Sequence, residues 1–369
     1  MGPRHHDLGL TSDAVYLLDL SAGYDTDWFK EATQNAFQQT HNLSMSGGTD
    51  QTTYMASFNF RDGDGTAINT GYEQLNGRLN LSQKAINNRL TVDLNISATQ
   101  RKTQRGFDDA FRYATIYNPT APVRSDDAQY DIYDGYFQQV LFDYYNPVAI
   151  LEQNFNNTNS RRINVALKGA FEIIEGLKVD AFYSVQGQNY QAARYYDKNS
   201  YWVGMDRNGL AAKEYREDSF QLFESTINYI TDIGGANLTV LGGYSYQGFN
   251  WQGFNAEGGD FITDAFTYNN LSAAKDFNEG IGDVDSYQSM ATLIAFFGRV
   301  NLNVTDSWFL MASARYEGSS RFGVGKQWGL FPAIGAGVDL ANILAISSMD
   351  NLKLRVSYGV TGNQPGSSY

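Results

Sequence analysis

The chain has 369 residues, no cysteine, a formal net charge of −13 and 14% aromatic residues. The lack of cysteine excludes a disulfide framework, Cys-ligated zinc and thiol chemistry, and the acidic balance leaves none of the basic stripes that a nucleic-acid partner needs. No run approaches the ~18 consecutive apolar residues of a membrane helix, and the mean hydropathy is −0.40. A transmembrane β-barrel escapes both tests, because only alternate residues of its strands face lipid. The 25 Tyr, 23 Phe and 36 Gly against 6 Pro suit many strands joined by tight turns and do not suit disorder.

In chain order, Met1–Leu10 (MGPRHHDLGL) lacks the apolar stretch of an export signal. This start is therefore expected not to be a native precursor start, and residues 1–39 are read as an unmatched start and lead-in segment. From there on, period-2 alternation dominates. Strands are predicted over 40–46, 52–61, 70–83 and 89–102. In the second, Tyr54, Ala56, Phe58 and Phe60 oppose Thr53, Met55, Ser57 and Asn59. In the fourth, Leu90, Val92, Leu94 and Ile96 oppose Arg89, Asp93 and Asn95. The apolar set is expected to face outward and the polar set toward a lumen. In the long stretch that follows, Phe107, Ala110, Phe111 and Ala114 have helical spacing, and Asn118-Pro119 ends that helix because the residue before proline leaves the α region. No other helix is predicted.

Strands resume over 159–174, 177–192, 213–231, 236–252, 286–303, 307–317, 327–341 and 351–361. Ile163, Val165 and Leu167 alternate with Arg162, Asn164 and Lys168, and Leu354, Val356 and Tyr358 with Lys353, Arg355 and Ser357. A run of about 14 residues spans roughly 45 Å, enough to cross the apolar band of a membrane. The connections alternate in length along the chain. In an up-and-down meander all the short ones then fall at one end and all the longer ones at the other, the arrangement of outer-membrane barrels. The expected fold is all-β: an antiparallel up-and-down transmembrane β-barrel, here about twelve strands forming an open partial barrel. Strands near 40–46 and 351–361 are its edges.

Few residues invite a chemical role. His5-His6 sits in the unmatched start and reads as a remnant rather than a metal site. His41 heads a strand, and no G-x-S-x-G elbow accompanies it. Asp62, Asp64 and Glu73 echo positions 1, 3 and 12 of a calcium loop, but Ala67 stands where that loop requires glycine. Gly323-Val-Gly325 lacks the following helix of a dinucleotide site. The pairs Asp108-Asp109 and Asp126-Asp127 read as solvated loop charges. No catalytic residue, metal or cofactor is expected. The aromatic loops remain: Tyr130, Tyr133, Tyr136, Tyr144 and Tyr145 crowd one, and Tyr195, Tyr201 and Trp202 another. An apolar ring with a polar handle suits sugar or peptide contact. The same rings also serve as an interfacial girdle or pack loop on loop, and for any single residue that role is the commoner.

Several segments resemble the SusC/RagA family of TonB-linked outer-membrane proteins. They include TDWFKEA at 26–32, HNLSMSGG at 41–48, NTGYEQLNGRLNL at 69–81, YNPTAPV at 117–123 and NPVAIL at 146–151. Further on come FITDAFTYNNLSA at 261–273, IAFFGRVNLN at 294–303, ARYEGSSRFG at 314–323, WGLFPAIGAGV at 328–338 and LKLRVSYGVTGNQP at 352–365. The resemblance implies a barrel of about 22 strands, a plug inside it and a TonB-contacting segment near the mature N-terminus. It also implies a SusD-like lipoprotein partner on the outer side. Residues 40–369 then read as a partial TonB-dependent receptor β-barrel, with the plug and further strands expected outside this sequence. The function that follows is energy-coupled import of an oligosaccharide or peptide across the outer membrane, through TonB and with outer-membrane lipid around the wall. The alternatives are a passive porin or adhesin barrel and a soluble β-rich glycan-binding protein.

Overall fold

The structure, a computed structural model, describes residues 23–346 and 348–366. Met1–Leu10 with its His5-His6 pair lies outside the described residues. Twelve strands form one sheet in which each neighbour in sequence is a neighbour in space, antiparallel throughout. They are β1 (Gln38–Gly48), β2 (Thr52–Asp64), β3 (Gly71–Ala85), β4 (Leu90–Gln104), β5 (Asn154–Ile174) and β6 (Leu177–Tyr196). Then follow β7 (Leu210–Ile233), β8 (Ala236–Gly259), β9 (Asp283–Val304), β10 (Trp308–Ser319), β11 (Trp328–Asp339) and β12 (Lys353–Gly359). No ladder joins β12 to β1 among the described residues, so the sheet is open and these two strands are its edges. Among the described residues no helix is long and apolar enough to cross a membrane.

The strands match the alternation one for one, but β5 to β9 run further toward the long loops than it predicts. β5 begins at Asn154 instead of 159, and β8 continues to Gly259 instead of 252. The extensions, such as NFNNTN and FNAEGG, carry no clean alternation. They are held by the ladder itself, since backbone hydrogen bonds continue whatever the side chains are.

Register sorts the side chains. Tyr54, Leu81, Leu94, Leu167, Tyr183, Phe223, Tyr246 and Ile294 lie side by side across β2 to β9. On the opposite face, Ser57, Arg78, Ser97, Asn164 and Gln186 form a polar row. Leu90, Val92, Leu94 and Ile96 share the apolar face, and Asp93 and Asn95 the polar one, as the alternation requires. Arg89 differs: it sits in the turn before β4, and its guanidinium donates to the carbonyls of Glu172 (3.0 Å) and Ile173. The large apolar side chains of the first face are exposed, from Leu43 through Leu167 and Phe296 to Tyr358. On the polar face even small residues, Ala170, Ala291, Ala295 and Ser245, are buried. Side chains converge on the inside of a curved sheet and diverge on its outside, so the polar face is the inner one.

Tight turns close the other end. Gly234 and Gly235, both at positive φ, join β7 to β8, the two-residue hairpin whose twist matches the strands. Thr305 and Asp306 adopt the same conformation without glycine, with the Ser307 N–H on the Val304 carbonyl at 3.1 Å. Gly176 is obligatory for space as well as angle: a Cβ there would lie 2.2 Å from the Ile230 carbonyl oxygen. The connection from β11 to β12 is the exception to the length rule. Asp339 caps a helical turn by accepting from the Ala341 N–H (3.1 Å) and also holds the Leu352 N–H (3.2 Å).

At the long-loop end three short helices pack together: α1 (Trp28–Glu31), α2 (Asp109–Ile116) and α3 (Pro147–Gln153). Helix α2 is the one the spacing predicts, and it stops ahead of Asn118-Pro119. The other two were hidden by their brevity, although α3 carries a clear start signal. Asn146 is its N-cap and Pro147 occupies the first turn, where a missing N–H costs nothing.

Candidate functional site

The long connections build two packed clusters, one on each side of the sheet. The inner one joins the lead-in, the Arg105–Gln153 stretch and the loop after β6. Trp28 packs edge-on against Tyr117 with ring centroids 4.8 Å apart, and its indole N–H donates to the Asn118 carbonyl at 2.8 Å. Tyr117 stacks on Tyr144 (4.5 Å), Tyr130 meets Phe137 (4.9 Å), and Tyr201 touches both Tyr133 and Tyr145 (5.4 Å each). Trp202 stands edge-on to Phe107 at 5.0 Å. Asn146 pins the centre: its amide N–H groups donate to the Val123 and Phe137 carbonyls (3.0 Å each), while its oxygen accepts from Val148 and Ala149. A wholly buried amide with every bond made fixes the loop as firmly as an apolar residue would.

Two charged groups lock the rim of this cluster. The Tyr136 hydroxyl donates to Glu152, and the Arg124 guanidinium lies 3.8 Å over the Tyr136 ring while donating to Glu152 at 3.3 Å. The Tyr113 hydroxyl and Arg112 both donate to Asp143. Those two donors hold the Asp143 carboxyl below the ordinary carboxylate range. Burial, reinforced by the carboxylate each one faces, pushes the Tyr113 and Tyr136 hydroxyls well above the usual tyrosine value. Burial likewise raises Tyr133, Tyr145 and Tyr201. These phenols stay protonated, and those of Tyr113 and Tyr136 act as hydrogen-bond donors. Among the described residues no group of three acidic or His side chains is placed to hold a metal.

Of the eight aromatics singled out in the sequence, seven therefore meet in one structure. Tyr133, Tyr136 and Tyr144 are buried in it, while Tyr130, Tyr145, Tyr201 and Trp202 keep partly exposed faces. Tyr195 goes elsewhere. It lies on the outer face of β6, wholly buried beside Phe261 (5.9 Å), with its hydroxyl donating to Asp264. Its neighbour Tyr196 takes the inner face and joins Phe107 and Trp202. One step along a strand changes the side.

A second aromatic set lies on the inner wall itself. Phe220 meets Phe249 at 4.9 Å, Phe249 stacks on Trp251 at 5.5 Å, and the Arg321 guanidinium lies 5.6 Å over Trp251. Composition and loop position do not mark these residues. The signal was a break in parity: β8 puts Tyr244 and Tyr246 outward, then Phe249 and Trp251 inward.

Residues 104–369 match the family model described as TonB dependent receptor-like, beta-barrel. The chain belongs to this TonB-dependent receptor family. Its curated relatives include TonB-dependent receptor P3 of Formosa agariphila, 28% identical over 94% of this chain and 35% of the relative. TonB-dependent receptor SusC of Bacteroides thetaiotaomicron is 24% identical over 92% of this chain and 35% of its own length. The chain thus spans about a third of the length of these relatives. Among solved structures, the RagAB peptide transporter superposes with a TM-score of 0.77 at 23% identity, covering 94% of this chain and 39% of that one. The unliganded ferric citrate transporter FecA gives 0.52 at 13% identity, covering 88% and 42%. Both likenesses are to the fold, an open partial TonB-dependent barrel, and SusC and RagAB among its likenesses mark it as of the SusC/RagA kind, in a family of transport receptors rather than enzymes.

Proposed function

We propose that this chain is part of the wall of an outer-membrane importer that takes up oligosaccharides or peptides by TonB coupling, without catalysis of its own. Residues 40–369 form the barrel unit in this reading and residues 1–39 its lead-in. A SusD-like lipoprotein docks on the long-loop side, and TonB acts through sequence preceding the barrel. The observation that carries the reading is the exposed apolar face that runs from β1 to β12, opposite an inner face that is polar across β2 to β6 and carries an aromatic strip on β7 and β8. Water penalises such a face and lipid does not.

Ligand contact is assigned to the partly exposed rings of the inner loop cluster, Tyr130, Tyr145, Tyr201 and Trp202, and to the wall strip of Phe220, Phe249 and Trp251. Tyr133, Tyr136 and Tyr144 support the inner cluster from its interior, while Tyr195 anchors the outer loop through Phe261 and Asp264. Loss of the gene should abolish uptake of labelled oligosaccharide or peptide, and loss of TonB should do the same. Uptake that persists without TonB would favour a passive porin. Recovery of the protein in the soluble fraction without detergent would overturn the membrane reading altogether.

A further inference from the structure

Toward the long loops the outer face of the sheet changes character. On β5 its last aliphatic residue is Ile163, followed in the same parity by Arg161, Asn159 and Asn157. Asn159 lies four residues beyond Ile163, about 13 Å along the strand. At that height the turn Thr267–Asn269 folds back over the outer face of β6 and β7. The Asn157 amide donates to the Tyr268 hydroxyl at 3.0 Å, and the Lys213 ammonium lies 5.6 Å from the Tyr268 ring. Between this turn and the strands is a cavity of about 760 Å³, within the range of small-ligand pockets.

Its wall has a particular chemistry. Glu73, Lys102, Asn159, Tyr215 and Phe254 line it, with Tyr268 as the roof. The Tyr215 and Phe254 rings are 6.3 Å apart, and Phe254 is half exposed in an otherwise polar rim. Lys102 and Glu73 pair at 3.3 Å, so they add no net charge. The side-chain oxygen of Asn159 is buried and has no hydrogen-bond partner in the protein, an unusual state that calls for a donor from elsewhere. Flat aromatic faces, an amide and a neutralised charge pair match a sugar ring, whose C–H face stacks and whose hydroxyls donate and accept. A phosphate is disfavoured, because Asp62 and Asp64 also border the cavity.

We propose that this pocket binds an uncharged sugar ring, and that the sugar belongs to a glycolipid of the surrounding membrane. The pocket opens on the outer wall, beyond the apolar band, where headgroups lie and imported cargo does not pass. This source rests on the outer-membrane reading above.

The test uses the full-length receptor purified from membranes in mild detergent, with native mass spectrometry after incubation with a neutral monoglycosyl diacylglycerol. One glycolipid per chain is expected, with occupancy falling at least ~10-fold in Tyr268→Ala and in Asn159→Leu. Tyr268 is on a surface turn, and heat-modifiable migration verifies that each variant is folded. A parallel titration with chitotriose separates the sources. Displacement of the glycolipid only at millimolar chitotriose supports the proposal, and displacement at the same concentration as the glycolipid itself would assign the pocket to soluble sugar. Equal occupancy in wild type and folded variants would overturn the site. A receptor recovered from membranes that carries no glycolipid sinks this inference and leaves the import reading intact.

Discussion

A cation placed at Leu167 should destabilise the barrel far more than one placed three residues earlier. On β5 the apolar face runs from Ile163 to Phe171, nine residues or about 26 Å of strand from end to end, close to the ~25 Å apolar band of such barrels. Leu167 is its midpoint and is 46% exposed, flanked in register by Leu94 and Tyr183. Arginine at the bilayer midplane on the lipid side costs ~2–4 kcal/mol, an equilibrium shift of about 30- to 700-fold. Asn164 is on the other face, with its amide donating to the Ser97 hydroxyl at 3.2 Å and Gln186 beside it. Arginine there keeps polar neighbours, and its cost should stay within about 0.5 kcal/mol. Urea titration of the full-length receptor refolded into vesicles, read by heat-modifiable mobility, measures both. Equal costs for Leu167→Arg and Asn164→Arg, or the reverse order, would refute the assignment of faces.

Three further outcomes follow from the loops and edges. Trp28→Ala removes a ring contact and an indole hydrogen bond between the lead-in and the Asn118 stretch; at about 3–5 kcal/mol for a buried Trp, limited proteolysis should cut within 105–153 much faster, and an unchanged rate would show that the lead-in does not brace that loop. Because the Asp143 carboxyl sits below its unfolded value, its stabilisation is fully present above the ordinary carboxylate range and is lost as pH falls through the folded value; near-UV circular dichroism of the tyrosines should fade on that acid limb in wild type and be flat there in Asp143→Asn. Residues 23–366 expressed alone present two open edges, each unpaired backbone group costing several kcal/mol in lipid, so planar bilayers should show no stable conductance, and a steady single-channel current would contradict this.

The strands were legible because one face meets an apolar solvent and the other water, a contrast that prints period-2 alternation onto every membrane-crossing segment. Where that contrast ends, legibility ends too. The first residues of β5 and the last of β8 are kept in the sheet by the backbone ladder and by contacts distant in sequence, such as Asn157 with Tyr268, so NFNNTN and FNAEGG look like loop. Helix α2 showed because eight residues suffice to repeat a 3.6 period, whereas α1 has only four residues and α3 seven. The aromatic loop residues were visible as a composition, but their roles depend on tertiary packing. Nothing local distinguishes Tyr136, 1% exposed, from Tyr130, which keeps an open face.

Tyr195 and Tyr196 show how the sheet turns a local rule into architecture. Because β6 stays regular to its last residue, these neighbours must point to opposite faces. Each supplies an anchor to a different loop. Tyr196 holds the inner cluster through Phe107 and Trp202, and Tyr195 holds the outer loop through Phe261 and Asp264. The outer loop is fastened a second time where Asp276 accepts from Arg207 and from the Gly259 N–H (2.6 Å). The long strand extensions are therefore what both clusters are built on: cut β6 back to the membrane and neither loop has a fixed footing. A one-residue slip in this strand would exchange the two tyrosines and unseat both loops together. The loop that shapes the entrance and the loop that roofs the outer pocket are thus coupled through a single register.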